Sequence, residues 1–254
     1  MKYMGSKNRI VDEILPIMLE NYDGNVFVDV FCGGCSVIEN VPDTYERIAN
    51  DVNRYLIAMW MELTINGTED MPKIIERDLY CDVRDSYNKR DKRYSDSMKG
   101  WVGFMGSFNG RFFDGGYSGH NVIGKNGKSR NYISENINNT LSQVKKLKGV
   151  HFTHCDFEAL WIPEHSLIYC DPPYKGTKPY TIWGVGKNGE FKNYKDFDYE
   201  RFYNWCRRMK KQGHLVFISE YYMPEDFKCI WSKEITNAMH QTNTKKPVEK
   251  LFTL

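Results

Sequence analysis

Asp171, Pro172, Pro173 and Tyr174 follow one another directly after the apolar run Leu167 to Tyr169. The run has the character of a buried parallel strand, and what comes next is unsuited to continuing one. Two adjacent prolines supply no backbone donors and hold neighbouring carbonyls rigid. A carboxylate, fixed carbonyls and an aromatic ring at a strand end suit one kind of chemistry. An aromatic amine has its lone pair delocalised into the ring and is a poor nucleophile. Two acceptors placed on its two hydrogens, the Asp171 carboxylate and the Pro172 carbonyl, favour a more tetrahedral nitrogen. They also stabilise the positive charge that develops as the amine attacks a methyl group. Tyr174 can stack on a purine drawn out of its duplex, where extrusion costs a few kcal/mol and stacking returns about 1–3 kcal/mol. The competing reading is a rigid turn with a buried tyrosine.

Asp29, Asp51, Asp156 and Asp171 each fall at or near the end of a strand-like run. In an open α/β sheet, ligands bind beyond the carboxyl ends of the strands. The glycine turn Phe31-Cys32-Gly33-Gly34-Cys35-Ser36 carries no lysine or arginine and lacks the full GxGxxG spacing, and nothing in the chain matches GxxxxGK[ST]. A phosphate-bearing ligand therefore fits poorly, and a cationic, phosphate-free one fits better. S-adenosylmethionine has that character: Asp51 suits its ribose hydroxyls, Asp156 and Phe157 its adenine, and its sulfonium tolerates acidic surroundings. Any one of these aspartates could instead be a helix cap.

The elements that must position these residues alternate. A helix is expected over Ser6 to Leu15, broken by Pro16, and then a strand from Val26 to Phe31, the glycine turn and a helix opened by Ser36. A second strand ends near Asp51 with a helix after Asn53, so the chain starts as a doubly wound parallel sheet. The alternation lapses over residues 67–148, except for a helix from Ser134 to Lys148 with Gly149 at its end. Strands resume at Val150 to Asp156, at Ser166 to Tyr174 and at His214 to Tyr221, with a helix between Asp198 and Gly213. The tail reads as two strands around a lysine-bearing loop. Residues 175–196 form a long aperiodic loop, a kind that is usually functional or disordered.

At 254 residues with net charge +2, overall charge says little about partners. Its distribution says more: Glu76 to Lys148 holds 14 Lys or Arg against 8 Asp or Glu, while the remainder holds 21 against 25. Seven cysteines and the absence of a signal peptide suggest a reducing, cytoplasmic setting. Cys32 and Cys35 form a CxxC with no second pair or nearby histidine, which disfavours zinc and thioredoxin-like roles. No apolar run approaches a membrane span.

Together, Asp171 to Tyr174, "KYMGSK" at Lys2 to Lys7, "FVDVFCGGCS" at Phe27 to Ser36 and "ANDVNRYLI" at Ala49 to Ile57 resemble the Dam-type DNA adenine-N6 methyltransferases. The order, with the cofactor motif first, then an insertion, then DPPY, is similar to the alpha group. The resemblance implies an α/β, Rossmann-like S-adenosylmethionine-dependent fold. Residues 1–66 and 149–254 would form the catalytic domain, and 67–148 an inserted, mainly helical target recognition subdomain. It implies that Tyr3 and Lys7 hold the methionyl carboxylate, and that the turn at Asp29, Phe31, Gly33, Gly34 and Ser36 approaches the cofactor. Asp51 would bind ribose, Asp156 and Phe157 adenine, and Asp171 the methionyl amine, the target N6, or both in turn. A proline usual before the aromatic of this turn is absent, and Cys35 replaces a smaller residue.

"GFMGSFNGRFFDGGYSG", from Gly103 to Gly119, resembles the family's loop at the DNA interface. Asn109 and Arg111 would reach base edges, and Arg90, Lys92, Arg93, Lys125, Lys128 and Arg130 phosphates. The expected activity is site-specific methylation of adenine N6 in double-stranded DNA by a monomer or weak dimer, without a metal. The same chemistry on RNA, or a non-catalytic DNA-binding protein that keeps the fold, remain alternatives. Asp at position 171 disfavours protein glutamine methylation.

Overall fold

The apolar runs that begin at Val26, Leu167 and Leu215 become strands buried on both faces, which is the condition the middle of a parallel sheet requires. The computed structural model describes residues 1–120, 122–123, 127, 129–175, 183–185, 191–193, 197–235 and 248–254. In chain order its strands are β1 (Val26–Asp29), β2 (Glu46–Asn50), β3 (Val122–Ile123), β4 (Ser129–Arg130), β5 (Val150–Thr153) and β6 (Leu167–Cys170). They continue with β7 (Trp183–Val185), β8 (Phe191–Asn193), β9 (Leu215–Ser219), β10 (Lys228–Glu234) and β11 (Val248–Thr253). The helices are α1 (Val11–Leu19), α2 (Arg54–Ile65), α3 (Arg77–Lys89), α4 (Asp96–Gly106), α5 (Tyr132–Val144) and α6 (Tyr199–Lys211).

Seven strands form one sheet in the order β10-β11-β9-β6-β1-β2-β5. β9, β6, β1, β2 and β5 run parallel, and β11 is antiparallel to both β9 and β10. From β1 the chain winds outward through β2 to β5, then returns to place β6 on the other side of β1. The switch point of the sheet therefore lies between β1 and β6, where the doubly wound architecture leaves its crevice.

One face of the sheet is covered by α1, α2, α4 and α5, whose Ile14, Trp60, Phe104 and Ile137 share a core with Phe27, Leu167 and Tyr169. The other is covered by α6, whose Phe202, Trp205 and Cys206 pack on Val28, Ile168 and Val216. Trp101, Val102, Phe104 and Met105 of α4 belong to the first of these cores, so part of 67–148 is built into the layer over the sheet. Among the described residues no helix is long and apolar enough to cross a membrane.

Several local expectations are corrected. Pro16 does not break α1; it lies inside it. The lost Asp12 carbonyl bond is offset by the face that continues through it, where Ile14, Leu15 and Met18 are buried. Ser36 opens no α-helix. A single 3₁₀ turn, Ile38–Asn40, ends in extended Val41 ahead of Pro42, because the residue before proline avoids the helical region. β5 ends at Thr153, so Asp156 stands three residues beyond it. The segment 175–196 includes the antiparallel pair β7 and β8, and the lysine-bearing tail loop, 236–247, lies outside the described residues. Asp198 caps α6 through the Arg201 N–H at 3.0 Å, and Gly213 follows the helix at φ +93°, both as expected.

Candidate active site

The carboxyl ends of β1 and β6 lie side by side, with Asp29 opposite Tyr169 and the Val30 N–H donating to the Tyr169 carbonyl at 3.0 Å. Asp29 and Asp171 thus emerge together at the switch point. The Lys7 ammonium, itself buried, stands 2.8 Å from an Asp171 carboxylate oxygen. It also donates to the Gly5 carbonyl at 3.0 Å and sits 4.8 Å from the centre of the Tyr174 ring. The Tyr174 hydroxyl donates to Glu249 at 2.7 Å, and Tyr221 meets its ring edge-to-face at 4.6 Å. Pro172 is buried and Pro173 exposed; the Pro173 carbonyl accepts from the Tyr199 hydroxyl at 2.9 Å.

The glycine turn is clamped from three sides. The Gly33 N–H donates to Asp51 at 3.1 Å, the Trp60 indole N–H donates to the Gly33 carbonyl at 3.3 Å, and the Gln143 amide donates to the Gly34 carbonyl at 2.6 Å. The Tyr3 ring lies against the turn so closely that a Cβ on Gly33 would come within 2.6 Å of it. Ser36 accepts from the Lys7 backbone N–H at 2.9 Å, which ties the N-terminal segment to the turn. Asp51, besides holding Gly33, accepts from the Asn53 N–H at 2.8 Å at the start of α2.

Electrostatics follow from placing these carboxyls out of water. Burial pushes Asp171 up to about 6 even though the Lys7 ammonium holds it down, and burial raises Asp51 to about 6. Asp29 is held well above the usual carboxylate range, first by burial and then by the charges of Asp171 and Asp51. Glu220, at the end of β9, is raised to about 7 chiefly by burial, while it accepts the backbone N–H groups of Lys175 and Tyr221 at 3.0 and 2.6 Å. The rim thus gathers several buried carboxyls, with the Lys7 ammonium beside Asp171.

Asp156 and Phe157 lie at the same edge, beyond β5. Phe157 packs among Phe31, Phe197, Phe202 and Trp205, and the Arg201 guanidinium covers its ring at 4.5 Å. Arg201 also pairs with Asp156, and with Glu158 at 2.8 Å.

A family model for D12 class N6 adenine-specific DNA methyltransferases matches residues 3–248. The chain belongs to that family. Among curated proteins it is 27% identical over 220 residues to "Modification methylase StsI" of Streptococcus sanguinis, covering 78% of this chain and 33% of that protein. It is 26% identical over 193 residues to "Type II methyltransferase M.FokI" of Planomicrobium okeanokoites, covering 68% of this chain and 28% of that one. The chain thus spans about a third of the length of these relatives. A solved structure, the rRNA methyltransferase AviRa of Streptomyces viridochromogenes, aligns at a TM-score of 0.41 and 9% identity over 100% of this chain and 86% of that one, a likeness that carries no argument.

In this D12-class chain the basic residues of 67–148 are partly engaged with acids. Arg93 pairs with Asp82, Asp85 and Asp91, Arg130 with Glu135 at 2.7 Å, and Arg111 with Asp114, while the buried Arg111 Nε has no hydrogen-bond partner among the described residues. Arg90 ends α3 in the left-handed conformation, Lys92 is exposed, and Asn109 sits at φ +54° in the turn after exposed Phe108. Lys125 and Lys128 lie outside the described residues. Sequence reasoning missed Glu220, Glu249 and Arg201, and the Asn136 and Gln143 side chains that anchor the N-terminal segment and the glycine turn.

Proposed function

We propose that this D12-class chain transfers a methyl group from S-adenosylmethionine to N6 of an adenine flipped out of double-stranded DNA. The observation that carries the reading is the position of Asp171, next to Asp29 at the switch point of the sheet and paired with Lys7. S-adenosylmethionine, when bound, supplies a methyl on a positively charged sulfur. The residues fit such a group: the rim is rich in buried carboxyls, and Asp29 Oδ1 is buried with no hydrogen-bond partner among the described residues. An ammonium would satisfy that oxygen at a site where a phosphate would be repelled.

In this reading Tyr3 and Lys7 hold the cofactor carboxylate, Asp51 its ribose, and Asp156 and Phe157 its adenine. Asp171 and the Pro172 carbonyl accept the N6 hydrogens of the target, and Tyr174 stacks on its ring. Positioning and electrostatics supply the rate. A strong general base is unnecessary, because the methylated nitrogen becomes acidic and loses its proton after transfer. Residues 67–148 serve as the recognition segment, with Asn109 and Arg111 at base edges and Arg90, Lys92, Arg93, Lys125, Lys128 and Arg130 along phosphates. The relatives' names support a biological setting of modification, in which methylation marks a recognition sequence.

Labelled S-adenosylmethionine offered to duplex DNA and to structured RNA in parallel tests the substrate. Label in N6-methyl-2′-deoxyadenosine after digestion supports the reading; label confined to RNA or to another base contradicts it.

A further inference from the structure

The reversed strand β11 brings a carboxylate to the rim that the parallel strands could not supply. Leu251 of β11 pairs opposite Ser219 of β9. Because β11 runs antiparallel to β9, residues before Leu251 project past the carboxyl end of β9, over the same edge that carries Asp171 and Glu220. Glu249 is two residues before Leu251 and so shares its side of the strand. There its Oε2 accepts the Tyr174 hydroxyl at 2.7 Å.

Tyr174 has further contacts, among them a hydrogen bond with the Asp171 side chain. The Lys7 ammonium lies 4.8 Å from the ring centre, and Tyr221 packs edge-to-face at 4.6 Å. These two ring contacts leave the reach of the hydroxyl to its hydrogen bonds, of which the one to Glu249 comes from a strand of the sheet. A hydrogen bond from the phenol to the Glu249 carboxyl is directional. It ties the far end of the ring to a sheet strand, so that the ring is oriented before any base arrives.

We propose that Glu249 is the positioning residue for Tyr174, orienting its ring as the stacking platform for the extruded purine. This rests on the proposed adenine reaction and deepens it. Glu249 touches neither the reacting nitrogen nor the methyl group; it acts through the phenol.

The test compares Glu249→Ala, Glu249→Gln, Tyr174→Phe and the double variant Tyr174→Phe/Glu249→Ala in single-turnover methyl transfer to duplex DNA, alongside cofactor affinity by calorimetry. Loss of this hydrogen bond should lower the Glu249→Ala rate by about tenfold, with cofactor affinity unchanged. Glu249→Gln retains an acceptor oxygen and should recover most of that rate. Tyr174→Phe should be at least as slow as Glu249→Ala, and the double variant should fall no further than Tyr174→Phe, because the phenol through which Glu249 acts is already gone. An unimpaired Glu249→Ala, a Glu249→Gln as slow as it, or additive losses would overturn the proposal. A second readout needs no DNA: the Tyr174 Cζ resonance, assigned by its loss in Tyr174→Phe, should move in Glu249→Ala and much less in Glu249→Gln. Failure of the adenine reaction itself would show as an inactive wild-type protein in which that resonance still responds to Glu249; an unmoved resonance overturns the pairing whatever the substrate.

Discussion

Lys7 and Asp171 form a buried ion pair at 2.8 Å, joining the N-terminal segment to the end of β6. Their side chains are 6% and 19% exposed, so the pair is shielded but Asp171 keeps an opening toward the rim. Such a pair is a poor stability device, since both charges must leave water. Its consequence is electrostatic: Lys7 opposes the burial that would otherwise keep Asp171 protonated.

Replacing Lys7 with methionine should therefore raise the Asp171 pKa above its value of about 6. The acidic limb of the rate profile then moves to higher pH, with a loss near neutrality that is partly recovered in alkaline buffer. A rate measured across pH with saturating substrates checks this. An unmoved limb would mean that Lys7 does not govern the charge on Asp171.

Activity and stability should respond to acid in opposite directions. Asp51 and Asp171 sit at about 6 and Glu220 at about 7 when folded, above their unfolded values, and burial raises Asp29 in the same direction. The native state therefore holds more protons than the unfolded chain between about pH 4 and pH 7, and stability falls as pH rises through that window. His214 and the Met1 ammonium, both lowered chiefly by burial, oppose this trend, but they face these four carboxyls and Glu39, which burial also raises. The cofactor-free Tm should thus rise on acidification from about pH 8 to pH 5.5 while the transfer rate drops, because an ionised Asp171 is the working form. Thermal scans showing Tm falling over the same interval would contradict the assignment of these carboxyls.

Added S-adenosylmethionine should weaken that opposition. A cation among the rim carboxyls favours their ionised forms, so its affinity should increase as pH rises from about 5.5 to 7.5. Calorimetric titrations at several pH values measure it directly, and an affinity independent of pH would argue that the ligand binds away from these groups.

The order of elements and the convergence of aspartates were legible because each depends on short-range patterns. Leu167 to Tyr169 is an apolar run, Asn53 and Asp198 are caps, and Gly33 stands where a turn must form. Glu249 and Glu220 were not legible. Each is an ordinary acidic residue in sequence and reaches the rim only through the pairing of β11 with β9, which no local pattern encodes. Gln143 and Asn136 likewise read as polar helix residues, yet they are 5% and 2% exposed and hold backbone from distant parts of the chain. Ser36 misled because a good capping residue precedes only a 3₁₀ turn, cut short by Pro42.

Gly33→Ala should be costly for two separable reasons. Gly33 has φ +46°, and its new Cβ would meet the Tyr3 ring at 2.6 Å. A left-handed non-glycine residue costs about 1–3 kcal/mol where the surroundings enforce it, and Tyr3 must also move. Denaturant unfolding should register a loss in that range, and cofactor affinity should weaken more than the stability loss alone explains. Unchanged affinity in a folded variant would separate this turn from the cofactor site.

The most direct measurement is methyl transfer by Asp171→Ala under single-turnover conditions, with cofactor and DNA affinity measured on the same preparation. Transfer to adenine N6 is expected to disappear while DNA binding largely survives, because the acceptor that prepares the nitrogen is gone and the recognition segment is untouched. Near wild-type transfer by Asp171→Ala would contradict the assignment of Asp171 as the group that prepares the amine.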